Sequence, residues 1–433
     1  MKNIKVLMFG WEFPPHISGG LGTACYGLAK GLASQNGIKI LFVVPKAFGD
    51  EEQENIQLIG ANTIPITKKE VFFADAQKKI EYFEVKSNII PYVNEKEFWQ
   101  LKSKKQNTRS RFIKTTQGYT INFSGNYGAD LFEEIKNYAL IAGTIVRDYN
   151  NFDLIHAHDW LAYPAGIAAK KISEKPLVIH VHATEFDRSG GNVDPAIYAI
   201  EREGMDVADK IITVSNFTRQ TVIEKYFISP EKVTTVYNAV EPESISKDFN
   251  FKRGVNEKVV TFLGRITLQK GPEYFIEAAF LVLKKMNNVR FVMAGSGDKM
   301  SEMITRVAQL GMADKFHFTG FLKGDDVVRM FKMTDVFVMP SVSEPFGIVP
   351  LEAMQADVPV IISNQSGVSE ILRNAIKIDF WDTYAMADYI YGLLQYPAVA
   401  EILKKSGKKE VKDLTWKHSA IHVRDVYNSV LNC

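Results

Sequence analysis

At 433 residues the chain exceeds what one hydrophobic core usually fills, so two domains are expected. Apolar residues make up 46% and charged residues 24%, with a formal net charge of +2, which excludes a general pull toward nucleic acid or membrane. Two cysteines, Cys25 and Cys433, are too few for a disulfide framework and fit a reducing, cytoplasmic setting.

In chain order, the N-terminal residues run directly into a strand pattern, Ile4–Phe9, rather than a charged tip before a long apolar run. Further β-branched runs follow at Ile38–Val44, Leu154–His158, Leu177–His182, Ile211–Val214 and Val233–Tyr237. A second set comprises Val259–Leu263, Phe291–Ala294, Val336–Met339 and Val358–Ile362. Near-continuous apolar character suits strands buried on both faces, and helix-length spacers suit parallel sheets with right-handed crossovers. The polar stretch at about 241–257 separates the two sets and is read as the linker. No apolar stretch reaches the roughly 18 residues a spanning helix needs. The expectation is an α/β chain of two doubly wound, Rossmann-like domains facing a central cleft. The first covers 1–240, the second 241–409, and a final helix at about 410–433 packs back on the first.

One segment departs from this pattern. Between Glu97 and Asp130 there is no acid, yet Lys102, Lys104, Lys105, Arg109, Arg111 and Lys114 lie there. This is either a solvated loop or an electrostatic contact for an anionic acceptor or peripheral membrane surface.

Four constellations could carry chemistry. Ser18-Gly19-Gly20-Leu21-Gly22-Thr23 precedes a helical pattern, where backbone N–H groups and the helix dipole can meet a phosphate. A long loop from Gly10 to Ile17 separates these glycines from the first strand, and Gly295-Ser296-Gly297 lacks a third glycine. A dehydrogenase fingerprint is therefore disfavoured. His156 and His158, like His180 and His182, sit two apart on strands and so face the same way. Either they are buried, hydrogen-bonded residues, or they form a metal site of a metal-dependent hydrolase. Arg265 and Lys270 straddle a strand-to-helix loop and suit a diphosphate, one as a bidentate fork and one as a point charge. Glu344 and Glu352 bracket a helix N-terminus, with Gly347 and Ile348 between them. Capping accounts for the first acid and not for the second.

Taken together, these residues resemble the retaining GT-B glycosyltransferases of family four and the related bacterial and archaeal glycogen and starch synthases. The likeness runs along nearly the whole chain apart from about Phe48–Asn126. It is carried by Gly19-Gly20, His156-Ala157-His158-Asp159-Trp160, Thr213-Val214-Ser215, Tyr237-Asn238-Ala239-Val240, Gly264-Arg265 with Lys270, Glu344-x7-Glu352, and Thr415-Trp416-Lys417-His418. The resemblance implies that Arg265 and Lys270 hold the donor diphosphate, that Glu344 contacts the transferred sugar, and that Glu352 takes the ribose. It further implies that Gly19, Gly20, Gly347 and Ile348 meet phosphate through backbone, and that His158 lines the sugar pocket. Catalytic roles fall to His158, Glu344, Arg265 and Lys270, with no metal and no cofactor beyond the substrate, ADP- or UDP-glucose. Bacterial glycogen synthases carry a Lys two residues before the glycine pair, where this chain has Ile17. The expected activity is hexose transfer, glucose by preference, from a nucleotide-diphosphate sugar to a glucan in glycogen biosynthesis. The rival acceptors are those of sucrose, glycolipid or surface-polysaccharide synthesis.

Overall fold

A computed structural model describes residues 3–51, 55–67, 112–116, 118–128, 130–241, 253–254 and 256–432. Two parallel sheets dominate it. The first runs β1 Ile4–Phe9, β2 Ile38–Val44, β3 Ile56–Gly60, β6 Leu154–His158, β7 Leu177–Val181, β8 Lys210–Thr213 and β9 Val233–Thr235. Its spatial order is β3-β2-β1-β6-β7-β8-β9. The second runs β10 Lys258–Leu263, β11 Val289–Ala294, β12 Phe316–Gly320, β13 Val336–Met339, β14 Val360–Ser363 and β15 Ile376–Ile378, in the order β12-β11-β10-β13-β14-β15. A small hairpin, β4 Phe112–Thr115 with β5 Gly118–Ile121, stands apart. This is the two-domain α/β arrangement of the GT-B fold, each sheet doubly wound.

Period-two alternation explains the first sheet's two-sided core. Leu7 and Phe9 pack with Ile155, Ala157, Ile179 and Ile211 on one face. Val6 and Met8 pack with Leu154, Val178 and Ile212 on the other. The first face is covered by α2 Leu131–Asp148, α3 Tyr163–Ser173, α5 Pro195–Val207 and α6 Asn216–Tyr226, with the short α4 Glu185–Ser189 just before α5. The second face is covered by α1 Gly20–Ala33 and by the last helix, α13 Trp416–Leu431. α1 carries glycine where α13 crosses it. A Cβ at Gly27 would meet the Trp416 indole at 2.3 Å, and one at Gly31 the Trp416 carbonyl at 2.5 Å.

In the second domain α7 Pro272–Leu283, α8 Met300–Gln309 and α11 Thr383–Gln395 pack on one face, while α9 Asp325–Met333, α10 Val349–Gln355 and α12 Pro397–Val411 pack on the other. Several strand ends differ by a residue or two from the sequence reading: β7 stops at Val181, leaving His182 just beyond it, and β9 stops at Thr235. Strands β3, β12 and β15 were not expected. The last is only three residues long, and Gly320 ends the second at a left-handed φ of 74°. The linker read at about 241–257 falls largely outside the described residues, as does the basic stretch from Lys102 to Arg111. Lys114 is exposed on β4.

Candidate active site

In an open parallel sheet, ligands bind beyond the carboxyl ends of the strands where the winding direction reverses. That point lies between β1 and β6 in the first domain and between β10 and β13 in the second. Each of the four constellations reaches one of them. The loop after β1 leads to Gly19 and Gly20, and β6 ends in His158. The turn after β10 carries Arg265 and Lys270, and that after β13 carries Glu344.

On the second domain, Lys270 closes a single 3-10 turn, Leu268–Lys270, and Gly271 turns the chain into α7. Its Nζ forms an ion pair with Glu344 Oε2, which also accepts from Ser341 Oγ at 3.3 Å. Arg265 Nη2 donates to Gln269 Oε1 at 3.1 Å, within the same turn. Gly347 takes a left-handed φ of 99°, where a Cβ would meet Met339 Cε at 3.1 Å and Glu344 Cγ at 3.2 Å. Ile348 packs against the cores of both domains. Glu352 lies one turn into α10, and burial pushes its carboxyl up to about 7.

The first domain supplies groups that the sequence reading passed over. Glu12, buried in the loop after β1, accepts from Ser18 N at 3.2 Å and from the Ser18 hydroxyl. Burial raises its carboxyl, while Ser18 and the charge of Arg265 pull it back. Asp159, directly after β6, is fully buried with a left-handed φ of 63°. Its Oδ1 accepts from Trp160 N, and its Oδ2 has no partner. Burial pushes this carboxyl up to about 6, opposed chiefly by Arg188 and weakly by Arg265. The guanidinium of Arg265 therefore acts on two acids of the opposite domain. Arg188 is itself buried, bonded to Glu185 at 3.2 Å and to Glu201, and 3.9 Å from Asp159. An arginine inside a short helix between buried acids leaves no periodic trace, but Glu12, a lone acid between Trp11 and Phe13, was a usable signal.

The glycine loop and the histidines behave differently from each other. A Cβ at Gly19 or Gly20 would meet nothing within 4 Å, so the fold itself leaves space there. Gly22 is different, since Ile17 and Glu12 close on it at 2.6 and 2.7 Å. His156, His158, His180 and His182 form a stacked column on the α1/α13 side of the sheet. Ring centroids are 4.2 Å apart for His156–His158 and 4.4 Å for His180–His182. Tyr427 of α13 meets His156 Nδ1 at 2.6 Å. His158 Nδ1 meets His182 Nε2 at 3.0 Å, and His158 has no exposed surface. The same-side reading of each pair holds. Burial holds the column neutral, with His156 and His182 both lowered to about 3.

The two domains touch beside these residues. Ser343 Oγ, adjacent to Glu344, donates to Asp187 Oδ1 at 2.6 Å, and Ser215 Oγ donates to the Pro345 carbonyl at 2.5 Å. Glu370 accepts from the backbone N–H groups of Asn216 and Phe217 at 2.9 and 2.6 Å.

Two family signatures match the chain. Residues 129–244 match Glycosyltransferase Family 4, and residues 244–410 match Glycosyl transferases group 1. An uncharacterized glycosyltransferase of Methanocaldococcus jannaschii is 30% identical, covering 98% of each chain. A glycogen synthase of Mycobacterium tuberculosis is 24% identical over 98% of this chain and 94% of its own. The structure of Anabaena HepE in complex with UDP and glucose superposes with a TM-score of 0.68 at 18% identity, covering 99% of this chain and 100% of that one. With that fold, these signatures and a full-length relative, the chain belongs to the GT-B glycosyltransferases.

Proposed function

We propose that this glycosyltransferase moves a hexose, glucose by preference, from a nucleoside-diphosphate sugar to a glucan, with retention of anomeric configuration and without a metal ion. The observation that carries this reading is the pairing of Arg265 and Lys270 on one turn at the carboxyl end of β10, with Lys270 held by Glu344. Two fixed cations can stabilise the diphosphate charge that grows as the glycosidic bond breaks, the task a divalent ion performs elsewhere. Glu344, next to Lys270, would meet the transferred sugar, and Glu352 would accept two ribose hydroxyls. Backbone groups at Gly19, Gly20, Gly347 and Ile348 would meet phosphate, and His158 and Asp159 would form the floor of the sugar pocket. The donor domain is the second one and the acceptor domain the first.

A glucan acceptor is supported by the end-to-end likeness to a glycogen synthase. A cytoplasmic setting suits the free, buried Cys25 thiol, and no helix among the described residues is long and apolar enough to cross a membrane. The family assignment replaces the hydrolase reading of the histidine pairs. Incubating the purified protein with ADP-, UDP- and GDP-sugars, each with and without glycogen, tests the proposal. Glycogen-dependent release of nucleoside diphosphate from a glucose donor is expected; release that ignores glycogen and follows an anionic or lipid acceptor would replace the glucan reading.

A further inference from the structure

The histidine column holds more nitrogen than sugar transfer uses. Five of its ring nitrogens are buried without a hydrogen-bond partner: His156 Nε2, His158 Nε2, both nitrogens of His180, and His182 Nδ1. His158 Nδ1 and His182 Nε2 are not among these five, and it is these two, already bonded to each other, that stand beside a thiol. At the outer end of the column, next to the partly exposed His182, three ligand atoms converge. Cys25 Sγ, from the buried face of α1, lies 3.7 Å from His182 Nε2, and that nitrogen lies 3.0 Å from His158 Nδ1. One ligand atom from each of the three residues lies within 4.8 Å of the others. A tetrahedral zinc ion, with bonds of roughly 2.0–2.3 Å to nitrogen and sulfur, sets its ligands about 3.3–3.6 Å apart. The spacing therefore fits a thiophilic cation with small adjustments.

We propose that Cys25, His158 and His182 form a binding site for a thiophilic divalent cation, with zinc as its probe, and that filling it shuts off transfer by capturing His158. Binding stands on the geometry alone; inhibition rests on the role proposed above for His158. The local charges support a dication. Asp159 and Glu12 lie near enough to act on Cys25, so a dication there would meet negative charge. The cation would replace the His158–His182 hydrogen bond and leave a fourth position for water.

The test uses the full chain carrying Cys433→Ser, so that Cys25 is its one thiol. After chelator treatment it is titrated with zinc against a chromogenic competitor, and separately with cobalt. One equivalent should bind, with a thiolate-to-cobalt charge-transfer absorption. Adding Cys25→Ser should abolish that absorption and weaken zinc by more than the roughly 10–100-fold that losing a mere supporting partner costs. His182→Gln should weaken zinc similarly, which keeps the test valid if Cys25→Ser folds poorly. His16→Ala should change nothing; it removes the exposed His16–Asp50–Glu51 cluster, the competing surface site. No stoichiometric binding, or binding lost with His16→Ala and kept with Cys25→Ser, would overturn the site. Zinc should also inhibit transfer by the parent chain and spare the Cys25→Ser variant. A cobalt–thiolate band with undiminished transfer would overturn the inhibition and, with it, the role of His158, while leaving the site.

Discussion

Arg265 and Lys270, proposed above to hold the leaving diphosphate, start from different surroundings. Lys270 is ion-paired with Glu344, and Arg265 bonds the Gln269 amide within its own turn. Each should matter most when the leaving diphosphate gains charge. Arg265→Ala and Lys270→Ala are each expected to slow single-turnover transfer by roughly 10²–10³-fold, the scale of losing one preorganised charge at a developing anion. Donor affinity should fall less, because ground-state and transition-state binding differ by that growing charge. Equal losses in both would reduce these residues to simple binding groups. Glu352 carries a pH prediction. Its folded carboxyl titrates near 7, above the ordinary 4.5, because burial penalises the charged form. Below that pH it is protonated and can accept fewer ribose hydrogen bonds. Donor affinity should therefore strengthen as pH rises from 6 to 8, and this slope should vanish in Glu352→Gln. A slope that survives the substitution would assign the titration to another group.

At the level of elements, the glycines around α1 separate fold from ligand. Gly20→Ala should leave stability within about 0.5 kcal/mol, since its Cβ meets nothing. If a phosphate lies against that backbone, donor binding should still weaken. Gly27→Ala should behave oppositely. It drives a methyl into the Trp416 ring and should cost about 1–3 kcal/mol of stability, read by urea denaturation. The buried strands were readable because apolar runs on both faces are distinctive, and the two-apart histidines because strand geometry dictates their side. The edge strand β15 was not readable, since Ile376-Lys377-Ile378 is too short to stand out from its surroundings, whereas β9 lies inside the longer run Val233–Tyr237. The winding order was also hidden. No local pattern says that β6 lies beside β1, or β13 beside β10, yet those two reversals set each constellation at a switch point of its own sheet. Asp159 stood inside a quoted motif, but its left-handed backbone and unpartnered oxygen depend on packing around Arg188 and Trp160.

For the whole molecule, the contacts between domains sit next to the chemistry. Ser343, the residue before Glu344, donates to Asp187 of α4 and so ties the loop that carries Glu344 to the first domain. Ser343→Ala removes the donor to Asp187 Oδ1. It should shift the closed state by about 1 kcal/mol, roughly fivefold, seen as a larger radius of gyration in solution scattering. An unchanged radius, with or without donor, would show that this contact does not govern closure. The central claim, retention without a metal ion, is tested most directly by proton NMR of the product. The anomeric signal of newly joined sugar is followed during turnover on an α-linked donor with chelator in excess. An α-linked product formed at an undiminished rate is predicted; a β-linked product, or transfer abolished by the chelator, would contradict the mechanism built on Arg265, Lys270 and Glu344.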